Sequence, residues 1–145
     1  MVFIPVRRDQ LLPALAAGKG DIAAANLTIT PERQKLVDFT GAGLSNVSEV
    51  VVSGPASPKV ASLDDLSGKD VFVRKSSSYY ESLVALNKKF AARKKPPVTL
   101  KEAPETLEDE DLLEMLNAGL IRAHHRRQAH GGLLEADLPA AHRAR

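Results

Sequence analysis

Cysteine is absent from this chain, which excludes disulfides and thiol chemistry and leaves the compartment open. Tryptophan is absent too, and aromatics make up only 4% of residues, so no platform for stacking nucleic-acid bases is visible. No apolar run reaches the ~18 to 20 residues that span a bilayer. The opening MVFIPVRRDQ lacks the basic start, long apolar stretch and small-residue cleavage site of a signal peptide, so the chain as written is expected to stay in the cytosol.

The 145 residues, 43% of them hydrophobic, suffice for one ordinary domain or two small lobes with a core of Ala, Val, Leu and Ile. The net charge of +2 is unevenly placed. Arg122 to Arg145 holds five Arg, all four His, no Lys and two acids, leaving fifteen basic against sixteen acidic side chains before it. The basicity belongs to the tail.

Val2 to Val6 reads as a buried strand, and Asp9 as the cap of a helix carrying Leu11, Leu12 and Leu15, stopped by Gly18 and Gly20. Asp21 to Ile29 alternates as a strand does. Thr30 then caps a helix over Pro31 to Val37, with Pro31 at the first helical position. Val47 to Val52 is a β-branched strand that runs into Ser53-Gly54-Pro55-Ala56-Ser57-Pro58, a crossing between units. Beyond it the spacing predicts a short helix from Ser62 to Gly68, a strand over Val71 to Val73 and a long helix over Tyr79 to Arg93. A strand over Val98 to Leu100 and a helix over Thr106 to Asn117 follow, closed by Gly119. Strands alternating with helices imply a parallel sheet. The acidic run Glu108 to Asp111 lacks the alternation of a calcium loop and reads as a solvated first helical turn.

Two polar helix starts are candidate anion sites, because the first N–H groups of a helix lack partners. In the first, alternation brings Asn26, Thr28 and Thr30 to one side, and Arg33 reaches back with a fork suited to a carboxylate. A helix cap with a surface ion pair fits the same residues. The second is Lys75-Ser76-Ser77-Ser78, whose hydroxyls and successive N–H groups form a nest for an anion or simply cap the next helix. Tyr79 and Tyr80 wall a pocket or pack into the core.

The stretch LLPALAAGKGDIAAANLTITPERQKLVDFT, the Val47 to Val52 strand and DVFVRKSSSYYESL together resemble the bacterial extracellular solute-binding proteins for amino acids. They are especially similar to the solute-binding-like domain of membrane-bound lytic transglycosylases of the F type. The specific combination is Leu-x-x-Ala-Leu, Gly-x-Gly-Asp, Thr-x-Thr-Pro-Glu-Arg and Asp-Phe-Thr in that order, and the resemblance covers about Val2 to Ile121.

The resemblance implies an α/β fold, part of the type 2 periplasmic-binding-protein fold, with two α/β lobes joined by crossing strands. Residues 1–52 are then part of lobe one, 53–59 the hinge and 60–121 lobe two. It implies that Asn26 and Thr28 meet a ligand's amino group and that Arg33 clamps its carboxylate, with Ser76, Ser77 and Ser78 adding contacts from the other lobe. Ser76 stands where the family commonly has Gly. The expected role is to bind an amino acid or similar small carboxylate in the periplasm for ABC-type transport, without enzymatic activity, cofactor or metal, as a monomer serving a permease. The alternatives are a ligand-sensing domain of a lytic murein transglycosylase and a non-functional gene fragment.

By the same resemblance the chain begins after the first strand and helix of lobe one and lacks the return to it. After Ile121 the family continues into an Ile/Val-rich strand ending in an acidic residue. Residues 122–145 contain no Val, Ile, Phe or Tyr, so no strand is expected there, and His124, His125 and His130 have neither a carboxylate partner nor a frame for a metal. A reading-frame shift explains such a tail. Permitted codons for HHRRQAHGGLLEADLP, read one base later, yield a text beginning IIVDRHMADFWKQIF, which supplies a strand, an acid and an amphipathic helix.

Overall fold

The computed structural model describes residues 1–43, 47–55, 57, 60–129 and 142–144, with backbone alone at 47, 124–129 and 142–144. The chain divides into two compact units, Met1–Ser45 and Asn46–Arg145.

In the first unit a 3-10 turn at Arg8–Gln10 leads into helix α1 (Leu11–Ala16), and helix α2 spans Pro31–Gln34. Asp9 is not the cap of α1: Gln10 holds that position, and the Asp9 carboxylate accepts from Arg7 Nε at 3.0 Å and Nη2 at 2.7 Å. Gly18, at φ 71°, turns the chain out of the helix in the left-handed region. Thr30 caps α2 as its sequence foretells, accepting the Arg33 amide at 3.3 Å with Pro31 in the first turn. The helix closes after Gln34, short of Val37, and one further turn follows through Leu36 and Val37 amides bonded to the Arg33 carbonyl.

Two expected strands are not formed. Residues 2–6 and 21–29 have no strand pairing, and Val2, Phe3 and Ile4 are exposed. Alternation in sequence selects the side chains a sheet would shelter, but a strand also needs a neighbouring backbone, and none of the described residues of this unit forms a ladder.

The second unit is a mixed sheet covered on both faces. Among the described residues its strands are β1 (Val47–Ser53), β2 (Asp70–Val73), β3 (Thr99–Glu102), β4 (Ala123–Ala129) and β5 (His142–Ala144), in the order β3-β2-β4-β1-β5. The expected parallel pairing holds between β2 and β3 and where Phe72 meets His124, whereas β1 runs antiparallel to β4 and β5.

Period-2 alternation sets the two faces of the sheet. Val51, Val71 and Val73 pack with helix α3 (Ser78–Ala92) through Tyr79, Leu83 and Phe90, while Val50 and Val52 pack with helix α4 (Asp109–Asn117) through Leu112 and Leu116. Residues 79, 83, 86 and 90 recur at helical spacing, which gives α3 its apolar stripe. Asn87 ties that helix to the head of β3, its amide donating to the Val98 carbonyl at 2.9 Å and accepting the Val98 N–H at 2.7 Å. Gly54 is needed for closeness, since a Cβ there would lie 2.8 Å from the Leu116 carbonyl oxygen.

The two units divide near residue 45, and β1, laddered residue for residue from Val47↔Ala129 to Ser53↔Ala123, lies in the second. β4 also corrects the expectation that no strand follows Ile121. Its residues are poor strand formers, but strand preference depends on context, and β4 lies between β1 and β2. Ile121 and Ala123 are buried, and the Arg122 carbonyl accepts from Gly54 N–H at 3.1 Å and Ser57 Oγ at 2.5 Å. The frame-shift reading itself is a question for the nucleotides around Ile121. His130 and the expected tail up to residue 141 lie outside the described residues, as do the side chains of His124 and His125.

Candidate functional site

In the first unit the structure brings Thr28, Thr30 and Arg33 together. Arg33 is buried, the only buried residue among those described in this unit, and its Nη1 donates to the Thr28 carbonyl at 2.9 Å. A backbone bond and a guanidinium bond thus close the same loop from both ends. Asn26 holds φ 47°, a left-handed conformation that Asn adopts more readily than most residues. It lies exposed at the start of the loop. The alternation expected of a strand does not place Asn26 here; the turn does. Because α2 is only one turn long, its end has little dipole to offer, and affinity for a carboxylate rests on the Arg33 fork.

In the second unit the turn between β2 and α3 carries Ser76, Ser77 and Ser78. Ser77 is the helix cap, accepting the Tyr80 amide at 3.3 Å while its Oγ donates to the Arg74 carbonyl at 2.6 Å. The serines at either side meet carboxylates of the chain itself. Ser76 donates its N–H to Glu105 Oε1 at 3.0 Å and its hydroxyl to Oε2 at 2.6 Å, and buried Ser78 donates to Glu49 Oε1 at 3.0 Å. Both backbone and side-chain donors of the turn are thus engaged by carboxylates of the chain itself.

Arg74, which the sequence reading passed over, holds this turn. Its guanidinium, with 4% of the side chain exposed, donates to Glu108 at 2.9 Å and to Asp109 at 2.6 Å. Tyr79 Oη donates to the other Asp109 oxygen at 3.1 Å, and Tyr79 is a core residue rather than a pocket wall. Burial by itself lowers the Arg74 pKa, but the field of Asp109 and the hydrogen bond to Glu108 more than offset it, and the net shift is upward. Two of the four acids in the run after Leu107 are thus spent on a buried cation, while Asp111 caps the Glu108 amide at 2.7 Å. The signal that could have found Arg74 is a cation at a strand's carboxyl end in a chain with an acidic helix start downstream.

A sandwich of helices on both faces of a mixed sheet, with polar turns at strand and helix ends, defines part of a type 2 periplasmic binding protein. The model of bacterial extracellular solute-binding proteins, family 3, matches residues 1–129, and the chain belongs to that family. The match runs on through β4.

Membrane-bound lytic murein transglycosylase F of Maricaulis maris is 40% identical over 76 residues, which are 52% of this chain and 16% of that protein. The same-named protein of Aeromonas hydrophila subsp. hydrophila is 39% identical over 72 residues, 49% of this chain and 14% of that one. The chain spans a small part of the length of the curated relatives it matches. Among solved structures, an ancestral arginine-binding protein bound to arginine is 28% identical at a TM-score of 0.68, and one bound to glutamine is 30% identical at 0.64. In both, 87% of this chain and 51% of the other are covered. The arginine-bound truncated protein from T. maritima, 22% identical at a TM-score of 0.70 over 98% of this chain and 62% of its own, supports the fold. Among the described residues no helix is long and apolar enough to cross a membrane.

Proposed function

We propose that this domain binds an amino acid or similar small carboxylate without transforming it, in the periplasm, and delivers it to an ABC-type permease. The observation that carries the reading is the buried Arg33 at the Thr28 to Thr30 loop, a planar fork of donors already aimed by its neighbours. Asn26 and Thr28 take the ligand's amino group, and the donors of the Ser76 to Ser78 turn are of the kind that meets a carboxylate. The relatives that hold arginine and glutamine support the ligand class. Calorimetric titration with L-arginine, L-glutamine and L-glutamate tests it: saturable binding lost in Arg33→Ala supports the reading, and equal heats with and without Arg33 end it.

The 40% identity to lytic murein transglycosylase F favours a second reading, a ligand-sensing domain controlling wall turnover. The gene and its neighbours discriminate. A catalytic domain in the same reading frame, with a helix-borne glutamate acid, favours wall turnover; adjacent permease and ATPase genes favour transport.

A further inference from the structure

We infer that Glu105 is a specificity-determining residue of the proposed ligand site, selecting against ligands with an acidic side chain. The inference rests on the function proposed above and adds the charge of the ligand to it. Two donors of one residue, the N–H and hydroxyl of Ser76, hold the two oxygens of the Glu105 carboxylate at 3.0 and 2.6 Å. That is the two-point grip a ligand carboxylate would seek on this turn, so Glu105 and the ligand compete for it like for like. Glu105 comes from the segment between β3 and α4, 29 residues along the chain from Ser76, so the contact is made by the fold rather than by a local turn.

A ligand has two ways to use the turn. It displaces Glu105, and then meets a carboxylate that has lost its donors; or it leaves Glu105 seated and lies beside it. In both, a negative charge faces the ligand. Glu49 on Ser78 adds a second carboxylate two residues along the turn. Lys75, the cation nearest in sequence, is directed to Glu102 at 3.5 Å, and Arg74 is committed to Glu108 and Asp109. The charge balance at this turn therefore favours cationic or neutral side chains over acidic ones.

The test is titration of the 145-residue chain and its Glu105→Gln variant with L-arginine, L-glutamine and L-glutamate, at neutral pH and fixed low salt. Glutamine keeps the shape of residue 105 and removes its charge. The preference for L-arginine over L-glutamate is expected to fall by about tenfold in Glu105→Gln, the scale of one charged hydrogen bond or one partly screened charge. Glu105→Ala gives the same direction of change, since charge and not shape drives it, and it guards against a new contact made by the amide. Binding by the parent chain with the ratio within about twofold in both variants overturns this inference and leaves the proposed function standing. Binding of none of the three by any form overturns both, and binding of all three that emerges only in the variants overturns the inference alone, since Glu105 then blocks every ligand rather than selecting by charge.

Discussion

Arg33 and Thr28 are joined by a guanidinium to carbonyl bond of 2.9 Å, so the residue proposed to clamp a ligand also shapes the loop that receives it. Because Arg33 is buried, binding and local stability are tied together. Arg33→Ala should cost on the order of 2 to 5 kcal/mol in ligand binding. It should also cost about 1 to 3 kcal/mol in local order, because the Thr28 carbonyl loses its charged donor. Arg33→Lys restores part of both, as a point charge cannot supply the fork. Titration calorimetry with hydrogen exchange on residues 26 to 34 separates the two effects; unchanged affinity in Arg33→Ala removes the residue-level support for the site.

The Arg74 clamp predicts a different pattern. Removing the cation with Arg74→Met leaves Asp109 and Glu108 without their counter-charge, but Asp109 keeps Tyr79 and Glu108 is 54% exposed and recovers water, so the loss should be about 1 to 3 kcal/mol rather than the 3 to 5 of a fully buried pair. Tyr79→Phe, which deletes one hydrogen bond to Asp109, should cost about 1 kcal/mol. Both are read from urea denaturation. A double variant whose loss equals the sum of the singles would show that the three groups do not act as one network.

Acid sensitivity has a sign that can be worked out at Asp65. Its carboxylate accepts the N–H groups of Ser62 at 2.9 Å and Ala61 at 3.0 Å, which hold its pKa below the ordinary 3.8. A lowered native pKa contributes stability that is present above 3.8 and is lost as pH falls through the lower native value. Asp9, drawn to about 2 by hydrogen bonds from Arg7 and then Gln10, follows the same rule. NMR titration of the side-chain carboxyls should find both below the free value. Asp65→Asn should flatten the acid limb of the stability curve, and an ordinary Asp65 pKa would discard the cap as a source of pH dependence.

The parts of this fold legible in sequence are those whose cause is local. Thr30 before Pro31, Ser77 before a stripe at 79, 83, 86 and 90, and Gly68 and Gly119 at positive φ announce themselves within a few residues. The serine turn was legible as a row of donors at a helix start for the same reason, but not the carboxylates it meets, because Glu105 and Glu49 arrive from 29 residues away in either direction. Val2 to Val6 has the composition of a strand and β4 does not, yet only the second is paired. Composition reports which side chains tolerate a sheet; the presence of a neighbouring backbone is decided by the rest of the chain.

The β4 ladder is the part of the structure most open to experiment. Alternate amides between Ala123 and Ala129 face β1 along the seven registered pairs, and those should exchange with solvent slowly and together with their counterparts in β1. His124 is the sharpest single test, because it is paired with Val52 on one side and Phe72 on the other. Whichever way its N–H points, a proline there deletes a donor inside the sheet and places a ring against a neighbouring strand. His124→Pro should cost at least about 1 to 3 kcal/mol and release the whole ladder to fast exchange. A tail that does not pack would make the same substitution neutral and leave these amides exchanging at the free rate, which would favour a shifted reading frame. The nucleotides around Ile121 test that proposal separately: if no single-base change there restores an open frame, it ends, and Ala123 to Ala129 stands as the native strand of this sheet.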